Sequence, residues 1–215
     1  MTTKAEAQQY FETLHKLTFS EVSIGSYAFE FLPSLIEPRE VDTYKKLLSL
    51  GCGHADELIA CRMFFGDSIT LTGIDNNPEL QRDRDQKELH ENLGLAGAQF
   101  LHANMSNISG ILQNIDKPDI ITIRHPGPLH NQFDQIAKRL TPWFQYAGEN
   151  EITTVLSFFN WHGNEKDRLV TDVIQQFVKP SQIRLQDKEF KNARAYYSIN
   201  SSSNIYPDFY GVRLF

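Results

Sequence analysis

The sequence has 215 residues, of which 40% are apolar and 12% are aromatic, and this suits a single domain with a substantial core. The formal net charge of −6 offers no basic surface of the kind that gathers nucleic acid, so a nucleic acid partner is not expected. The sequence has no apolar stretch of membrane-spanning length and no pattern typical of a secretory signal. We therefore expect a cytoplasmic protein with no membrane partner.

The two cysteines, Cys52 and Cys61, do not indicate a disulfide framework, because Cys61 falls inside a predicted helix and a reducing compartment suits both. No two cysteine or histidine residues stand at the close spacings of zinc sites, so we expect no metal. Nothing in the sequence indicates the oligomeric state.

The N-terminal segment, residues 1–43, differs from the rest of the chain. Apolar residues recur at helical spacing between Ala7 and Leu17, and an aromatic-rich stretch then leads to Pro33 and Pro38. This pattern predicts a helical cap that is an appendage of the main unit and not a separate domain. Residues 44–215 are expected to form that compact main unit.

From residue 44 onwards, short apolar runs alternate with helical patterns. The predicted strands are 46–50, 68–74, 98–102, 119–123 and 152–159, and the predicted helices are 55–65, 78–94, a short one ending near 115, 130–140 and 165–178. Strands that are apolar at consecutive positions are typical of a parallel sheet with helices on both faces.

The last part of the chain breaks this rhythm. Residues 193–199 and 209–215 are strand-like, and the turn residues between them leave no room for a crossover helix. These two strands are therefore expected to pair antiparallel. The complete pattern predicts an α/β fold with a doubly wound, seven-stranded, mostly parallel sheet, an antiparallel C-terminal hairpin and an N-terminal helical appendage.

The first predicted strand ends in the turn Gly51-Cys52-Gly53. In open α/β sheets, ligands bind beyond the carboxyl ends of the strands, so this turn is a candidate ligand site. Glycines let the backbone approach a ligand closely, and the N-terminus of the next helix favours a carboxylate or a phosphate. A purely structural tight turn would give the same pattern.

Polar residues also end the next two predicted strands. Asp75 can accept both hydroxyl hydrogens of a ribose, although Asp is also common as an N-cap residue before a proline such as Pro78. The amide of Asn104 can bind the amino group and a ring nitrogen of adenine. Met105 can cover the adenine face or belong to the core.

Asp56 stands where a dinucleotide fingerprint has its last glycine, which disfavours a nicotinamide cofactor.

Four segments carry a family resemblance: LLSLGCGHADELIA from residue 47, LTGIDNNPEL from 71, FLHANMSNI from 100 and PDIITIRHP from 118. Over residues 44–215 the chain resembles the class I S-adenosylmethionine-dependent methyltransferases, a Rossmann-like family whose last strand is antiparallel. The resemblance implies S-adenosyl-L-methionine as the cofactor. The implied cofactor site comprises Gly51, Cys52 and Gly53 at the methionine part, Asp75 at the ribose, Asn104 and Met105 at the adenine, and also Asn76 and Arg124.

The chain departs from the family pattern at three positions. Ser49 stands where the family has an acidic residue, Ala55 replaces the third glycine, and Asn104 replaces the usual Asp. In the family, the acidic residue helps to order the methionine amino group. Asp56 or a water molecule is therefore expected to take over this role from Ser49.

The methyl acceptor is expected near the ends of the first and fourth strands, beside Arg124, His125 and the Pro126-Gly127-Pro128 turn. His125 can act as a general base for an oxygen or nitrogen nucleophile, because histidine ordinarily titrates near neutrality; a loop or helix-capping histidine is the alternative. Enzymes that methylate the amino groups of nucleic acid bases begin a similar motif with Asp or Asn, so His125 argues against base methylation. Trp161 can form another wall of the pocket, although a core position is the preferred interpretation of this side chain. Tyr27 lies in the appendage, which in similar enzymes folds over the cofactor and shapes the acceptor pocket.

Three functions are compatible with these residues. The preferred one is a methyltransferase that acts on a small molecule or a protein side chain. The second is a cofactor-binding protein without transferase activity, in which Ser49 reflects lost catalysis and the surface binds a protein partner. The third is an aminopropyl transferase on the same scaffold, which would place acidic residues after the fourth strand, where this chain has none.

Overall fold

The computed structural model of the protein describes residues 4–13, 19–124, 129–159, 169–186 and 209–214. Within these residues, one sheet contains seven strands: β1 (Lys46–Leu50), β2 (Thr70–Asp75), β3 (Ala98–His102), β4 (Ile120–Arg124), β5 (Thr153–Phe159), β6 (Ile183–Gln186) and β7 (Phe209–Leu214). Their spatial order is β3-β2-β1-β4-β5-β7-β6, with β7 antiparallel to both neighbours and the other pairs parallel. The doubly wound, mostly parallel sheet predicted from the sequence is confirmed.

Helices cover both faces of the sheet. They are α1 (Lys4–Thr13), α2 (Phe19–Ser26), α3 (Leu32–Leu35) and α4 (Pro38–Val41) before the sheet, and then α5 (Asp56–Phe65), α6 (Asp83–Ala96), α7 (Ile108–Leu112) and α8 (Leu129–Asn150). A π-helical turn at Tyr27–Phe31 joins α2 to α3. Among the described residues, none of the helices combines the length and the apolar character needed to cross a bilayer.

The sheet separates two hydrophobic cores. Leu47 belongs to the core that includes α5 and the N-terminal helices, whereas its neighbour Leu48 belongs to the core that includes α8. Both side chains are almost completely buried. Consecutive residues of β1 thus enter different cores, which explains why the strands are apolar at consecutive positions.

β1 lies at the centre, where the strand order reverses. Leu50, its last residue, pairs with Ile74 of β2 on one side and with Ile123 of β4 on the other. The chain leaves β1 towards β2 and returns to the other side of β1 only with β4. In open α/β sheets, ligands bind where the strand order reverses, so the candidate ligand crevice lies at the carboxyl ends of these two strands.

α8 extends well beyond its predicted end at residue 140. The helix continues through Pro142, although a proline inside a helix costs about 3 kcal/mol. Three residues that follow the proline, Trp143, Phe144 and Ala147, are each at most 1% exposed. Burial of the two aromatic side chains contributes about 3–6 kcal/mol, which outweighs the cost of the proline.

The helix predicted over residues 78–94 is divided in two. Pro78–Gln81 forms a 3-10 turn, Arg82 is extended with ψ 141°, and α6 begins only after it. The helix also ends later than predicted, because Gly97, with φ 57°, is the glycine that adopts the left-handed C-terminal conformation. Gly94 remains inside α6.

The antiparallel C-terminal pair is confirmed, but only one of its strands lies where it was predicted. β7 matches the prediction for residues 209–215, whereas its partner is β6. β6 has only 4 residues and includes the polar Arg184 and Gln186, so its pattern is too weak to be recognised in the sequence. The predicted strand at 193–199 lies outside the described residues.

The helix predicted over residues 165–178 is irregular where the structure describes it. Leu169–Val173 forms a π-helical turn and Ile174–Gln176 a 3-10 turn. Ile174 and Val178 are nevertheless buried in the same core as α8. The described part of this segment thus packs on that core, but as two irregular turns and not as the predicted helix.

The N-terminal segment packs on the face of the sheet that carries α5. Tyr27 and Phe31 are completely buried, and their rings stack with centroids 4.8 Å apart. Both belong to the same core as Leu47 and Leu58. Tyr27 is therefore part of this core, and its link to an acceptor pocket stays a prediction.

Candidate cofactor site

Two glycines in the left-handed conformation form the turn after β1. Gly51 has φ 72° and Gly53 has φ 52°, a region that favours glycine. The N–H groups of Gly51 and Cys52 both donate to the carbonyl oxygen of Ile74, at 2.8 and 3.1 Å. The turn is thus attached to the end of β2, and α5 begins directly after it, with its first N–H groups at the crevice.

Ala55 explains how the turn tolerates the loss of its third glycine. Its φ is 69°, and it is the N-cap residue of α5. Its N–H donates to the carbonyl oxygen of Cys52 at 2.8 Å. A left-handed alanine costs about 1–2 kcal/mol, so the conformation of the turn is kept at a modest loss of stability.

Asp75 connects the turn after β1 to the turn after β2. Its Oδ2 accepts a hydrogen bond from the N–H of Gly53 at 2.9 Å, and its Oδ1 accepts one from the N–H of Asn77 at 2.7 Å. Each carboxylate oxygen can accept a further hydrogen bond. Asp75 therefore stabilises the turn, as the alternative interpretation of the sequence proposed. It can still accept hydrogen bonds from the two hydroxyls of a ribose. Asn76, between the two turns, is exposed.

The loop after β3 approaches the glycine turn. Met105 lies against Gly51, because its Cε is 3.3 Å from the position that a Cβ on Gly51 would take. Trp143 of α8 donates from Nε1 to the carbonyl oxygen of Met105 at 2.8 Å. Asn104 is exposed, and its Oδ1 accepts a hydrogen bond from the N–H of Ser106 at 2.9 Å. The structure therefore brings together the residues predicted for the methionine and adenine ends.

Cys52 contributes to the turn through its backbone, because its side chain is buried. A Cβ on Gly73 of β2 would come within 2.7 Å of Cys52 Sγ and 2.8 Å of Leu58 Cδ1. Gly73 thus makes room for Cys52 and for α5. Sequence reasoning missed this role, although a glycine inside an apolar strand often marks a close approach.

Glu57 is the second residue that sequence reasoning missed. Its side chain is buried, and its carboxylate accepts hydrogen bonds from the hydroxyls of Ser49 on β1 and Thr122 on β4, the latter at 3.1 Å. Asp56 accepts a hydrogen bond from Asn92 of α6 at 3.0 Å. The expectation that Asp56 or a water molecule takes over the role of the acidic residue stays a prediction. The missed signal is an acidic residue on the apolar face of a predicted helix.

The carboxylates of Glu57 and Asp75 place negative charge near the turn. Burial raises the pKa of the Cys52 thiol well above its ordinary value, and the charges of Glu57 and Asp75 raise it further. Two carboxylates therefore lie close enough to act on one buried group in the turn. Such a potential favours cationic ligand groups and opposes a pyrophosphate.

One group of potential metal ligands lies next to the turn. His54, Asp85 and Glu88 place one ligand atom each within 4.8 Å of one another, and His54 Nε2 is 3.6 Å from Asp85 Oδ1. The spacing argument from the sequence did not predict this group, because it joins a loop to α6. The contact between His54 and Asp85 accounts for the arrangement as an ordinary ion pair when the histidine is protonated.

Several predicted acceptor residues fall at the limits of the described segments. Arg124 ends β4, where it pairs with Ser157 of β5. His125, the Pro126-Gly127-Pro128 turn and Trp161 lie outside the described residues. The assignment of His125 as a general base therefore stays a prediction.

A cavity of about 410 Å³ lies at the opposite edge of the sheet. It is lined by residues at the amino ends of the strands, including Lys46, Thr70 and Gln99, and by Asp116 before β4. The glycine turns and the start of α5 lie at the other edge. The rule for open α/β sheets therefore favours the carboxyl ends over this cavity as the candidate cofactor site.

The fold is similar to those of solved methyltransferases. The methyltransferase domain of bacterial CtHen1 gives a TM-score of 0.55 at 14% identity, over 92% of this chain and 100% of that chain. The Methanococcus jannaschii fibrillarin pre-rRNA processing protein gives 0.51 at 12% identity, over 80% of this chain and 66% of that chain. An O-methyltransferase family protein from Burkholderia thailandensis gives 0.51 at 10% identity, over 97% of this chain and 59% of that chain.

No protein-family model and no curated protein match the sequence. The similarity to solved structures, at 14% identity or less in these three cases, concerns the fold. The central position of β1 and the antiparallel β7 agree with it. The protein therefore has the fold of the class I S-adenosylmethionine-dependent methyltransferases.

Proposed function

We propose that the protein is an S-adenosylmethionine-dependent methyltransferase. The observation that carries the proposal is the hydrogen bond from the N–H of Gly53 to Asp75 at 2.9 Å. It joins a glycine turn, where a ligand can approach the backbone, to a carboxylate that can accept the hydroxyls of a ribose. This combination at the crevice of a doubly wound sheet suits an adenosine attached to an amino acid.

The residues around the turn fit this cofactor. The backbone of Gly51, Cys52 and Gly53 would hold its methionine part, and Asp75, with Asn76 beside it, would hold its ribose. On the adenine side, Asn104 would bind the base edge and Met105 would cover the ring, and Arg124 at the end of β4 would complete the set. The cofactor supplies an electrophilic methyl group. A cationic sulfonium is compatible with the carboxylates of Glu57 and Asp75, whereas a dinucleotide would bring its pyrophosphate towards them.

For the acceptor, we propose a small molecule or a protein side chain. The net charge of −6 does not favour a polyanion. His125 would take the proton from an oxygen or nitrogen nucleophile. One protein of similar fold is described as a pre-rRNA processing protein, so RNA belongs in the screen that tests this assignment.

The alternative of a cofactor-binding protein without activity rested on Ser49. The buried Glu57 beside Ser49 provides an acidic group at this position, which weakens that argument. Turnover distinguishes the two functions, because both require cofactor binding.

Calorimetric titration with S-adenosylhomocysteine, S-adenosylmethionine and NAD tests the proposal. We expect binding of the first two ligands and no binding of NAD. Transfer of a labelled methyl group to small-molecule, protein or RNA fractions then identifies the acceptor class. Absence of binding by both adenosyl ligands would refute the function, and binding without transfer to any fraction would support the inactive alternative.

A further inference from the structure

The carboxylate of Glu57 occupies a special position in the sheet. Ser49 and Thr122 are register partners on β1 and β4, the two strands whose carboxyl ends border the crevice. Both hydroxyls donate to Glu57 Oε1. The side chain therefore spans the junction of these strands from the first turn of α5, on the face towards the N-terminal segment.

An acidic residue here is costly for stability. Glu57 is 1% exposed, and the residues that follow it towards the same core, Leu58 and Cys61, are apolar and completely buried. Removing a carboxylate from water carries a large penalty, of which hydrogen bonds from hydroxyls compensate only a part. A residue that is unfavourable for packing but is buried at a ligand crevice indicates a functional role.

The charge of Glu57 reaches the turn itself. Burial is the main cause of the raised pKa of the Cys52 thiol, and the carboxylate of Glu57 is the next. A carboxylate that disfavours a negative charge on the buried thiol favours a positive charge near the turn. The amino acid part of the proposed cofactor carries such a cation, its ammonium group.

We infer that Glu57 is a positioning residue that replaces the acidic group absent at Ser49 and stabilises the ammonium end of the cofactor. The inference rests on the proposed function. Glu57 acts through Ser49, Thr122 and the field at the turn. It therefore contributes to recognition of the amino acid part of the cofactor and not of its nucleoside part.

A pair of ligands tests this separation. S-adenosylhomocysteine has the ammonium group, whereas 5′-methylthioadenosine has the same nucleoside without it. We expect Glu57→Gln to weaken binding of S-adenosylhomocysteine by about tenfold or more, the effect of one charged interaction, and to leave 5′-methylthioadenosine binding unchanged. Binding of 5′-methylthioadenosine also reports that the variant is folded.

Two further variants complete the test. Asp56→Asn removes the same charge from the neighbouring position, whose carboxylate contacts Asn92, and should change neither affinity by more than about twofold. Ser49→Asp in the Glu57→Gln background returns a carboxylate to β1 and should restore most of the S-adenosylhomocysteine affinity. This double variant also keeps the inference testable if Glu57→Gln alone does not fold.

The outcomes separate the inference from the proposed function. Equal weakening of both ligands by Glu57→Gln, or no weakening of either, would overturn the role of Glu57 while the function stands. Failure of Ser49→Asp to restore affinity would overturn the idea of a relocated charge. Failure of the wild-type protein to bind either ligand would instead refute the proposed function, and the inference with it.

Discussion

Arg213 of β7 and Glu40 of α4 form a doubly hydrogen-bonded ion pair. Arg213 donates from Nη1 to Oε2 at 2.8 Å and from Nη2 to Oε1 at 2.5 Å, and Nη1 also donates to the carbonyl oxygen of Leu35 at 2.8 Å. The hydrogen bonds from Arg213 lower the pKa of the Glu40 carboxyl, and the same pair raises the pKa of the Arg213 guanidinium. The pair attaches the N-terminal segment to the C-terminal part of the sheet.

Glu40→Gln should lower the free energy of unfolding by about 3 kcal/mol at pH 7, because it removes the carboxylate that is hydrogen bonded to the buried Arg213. The folded pKa of Glu40 is lowered, so the pair contributes its stability above the ordinary pKa of about 4.3 and loses it as the pH falls through the folded value. Urea unfolding of both proteins between pH 7 and pH 3 measures this. The difference between them should shrink below about pH 4.

Glu37→Gln is the matched control for Glu40→Gln. Glu37 pairs with Arg39 at 2.8 Å and with Arg184 at 3.3 Å, and all three side chains are partly or largely exposed. Exposed pairs contribute at most about 1 kcal/mol. Similar losses in the two variants would show that burial of Arg213 is not the reason for the effect.

Asp75→Asn should weaken binding of S-adenosylhomocysteine by about tenfold, because a charged acceptor for the ribose hydroxyls is lost. Asparagine keeps one acceptor oxygen, so the hydrogen bonds from Gly53 and Asn77 are only partly lost and the chain should remain folded. Calorimetric titration and thermal unfolding provide the two readouts. Asp67→Asn, at an exposed position, is the control, and unchanged affinity in Asp75→Asn would rule out the ribose assignment.

Gly73→Ala should destabilise the protein by about 1–3 kcal/mol, because its methyl group would overlap with Cys52 Sγ and Leu58 Cδ1. Gly94→Ala should instead stabilise it by about 0.5–1 kcal/mol, since the site on α6 has nothing within 4 Å of the new Cβ. Chemical unfolding compares the two alanines directly. Stabilisation by Gly73→Ala would mean that α5 lies farther from β2 than the structure places it.

His125→Ala should lower kcat by about 10²–10⁴-fold on the acceptor that the screen identifies, while the affinity for the cofactor stays the same. Steady-state rates with the identified acceptor and calorimetric titration with S-adenosylhomocysteine test both statements. Full turnover in His125→Ala would exclude the role of a general base.

The strands β1 to β5 were predictable because each is a short, largely apolar run followed by polar or turn residues. β1 and β3 have the predicted bounds, and the turn at Gly51 and Gly53 has the left-handed backbone that its glycines suggested. β6 was not predictable, since 4 residues give no clear periodicity. The length of α8 depends on tertiary burial of Trp143, which local rules for Pro142 cannot include.

The candidate site was predictable to the extent that it follows strand ends. Asp75 stands directly after an apolar run, so its position at the crevice follows from topology. Glu57 belongs to the site through contacts with Ser49 and Thr122, and Thr122 is distant in the sequence. The sequence suggested that an acidic group near Ser49 was needed, but the contact between Glu57 and Ser49 is visible only in the fold.

The place of β7 also affects how the protein is made. β7 lies between β5 and β6, although the ribosome synthesises both of them first. Until Phe209–Leu214 emerges, β5 has an open edge that can pair with another nascent chain, and Glu40 has no Arg213 to bind. Stalled or shortened translation products would therefore be aggregation-prone, and chaperones would be needed most in the interval before the last strand enters the sheet.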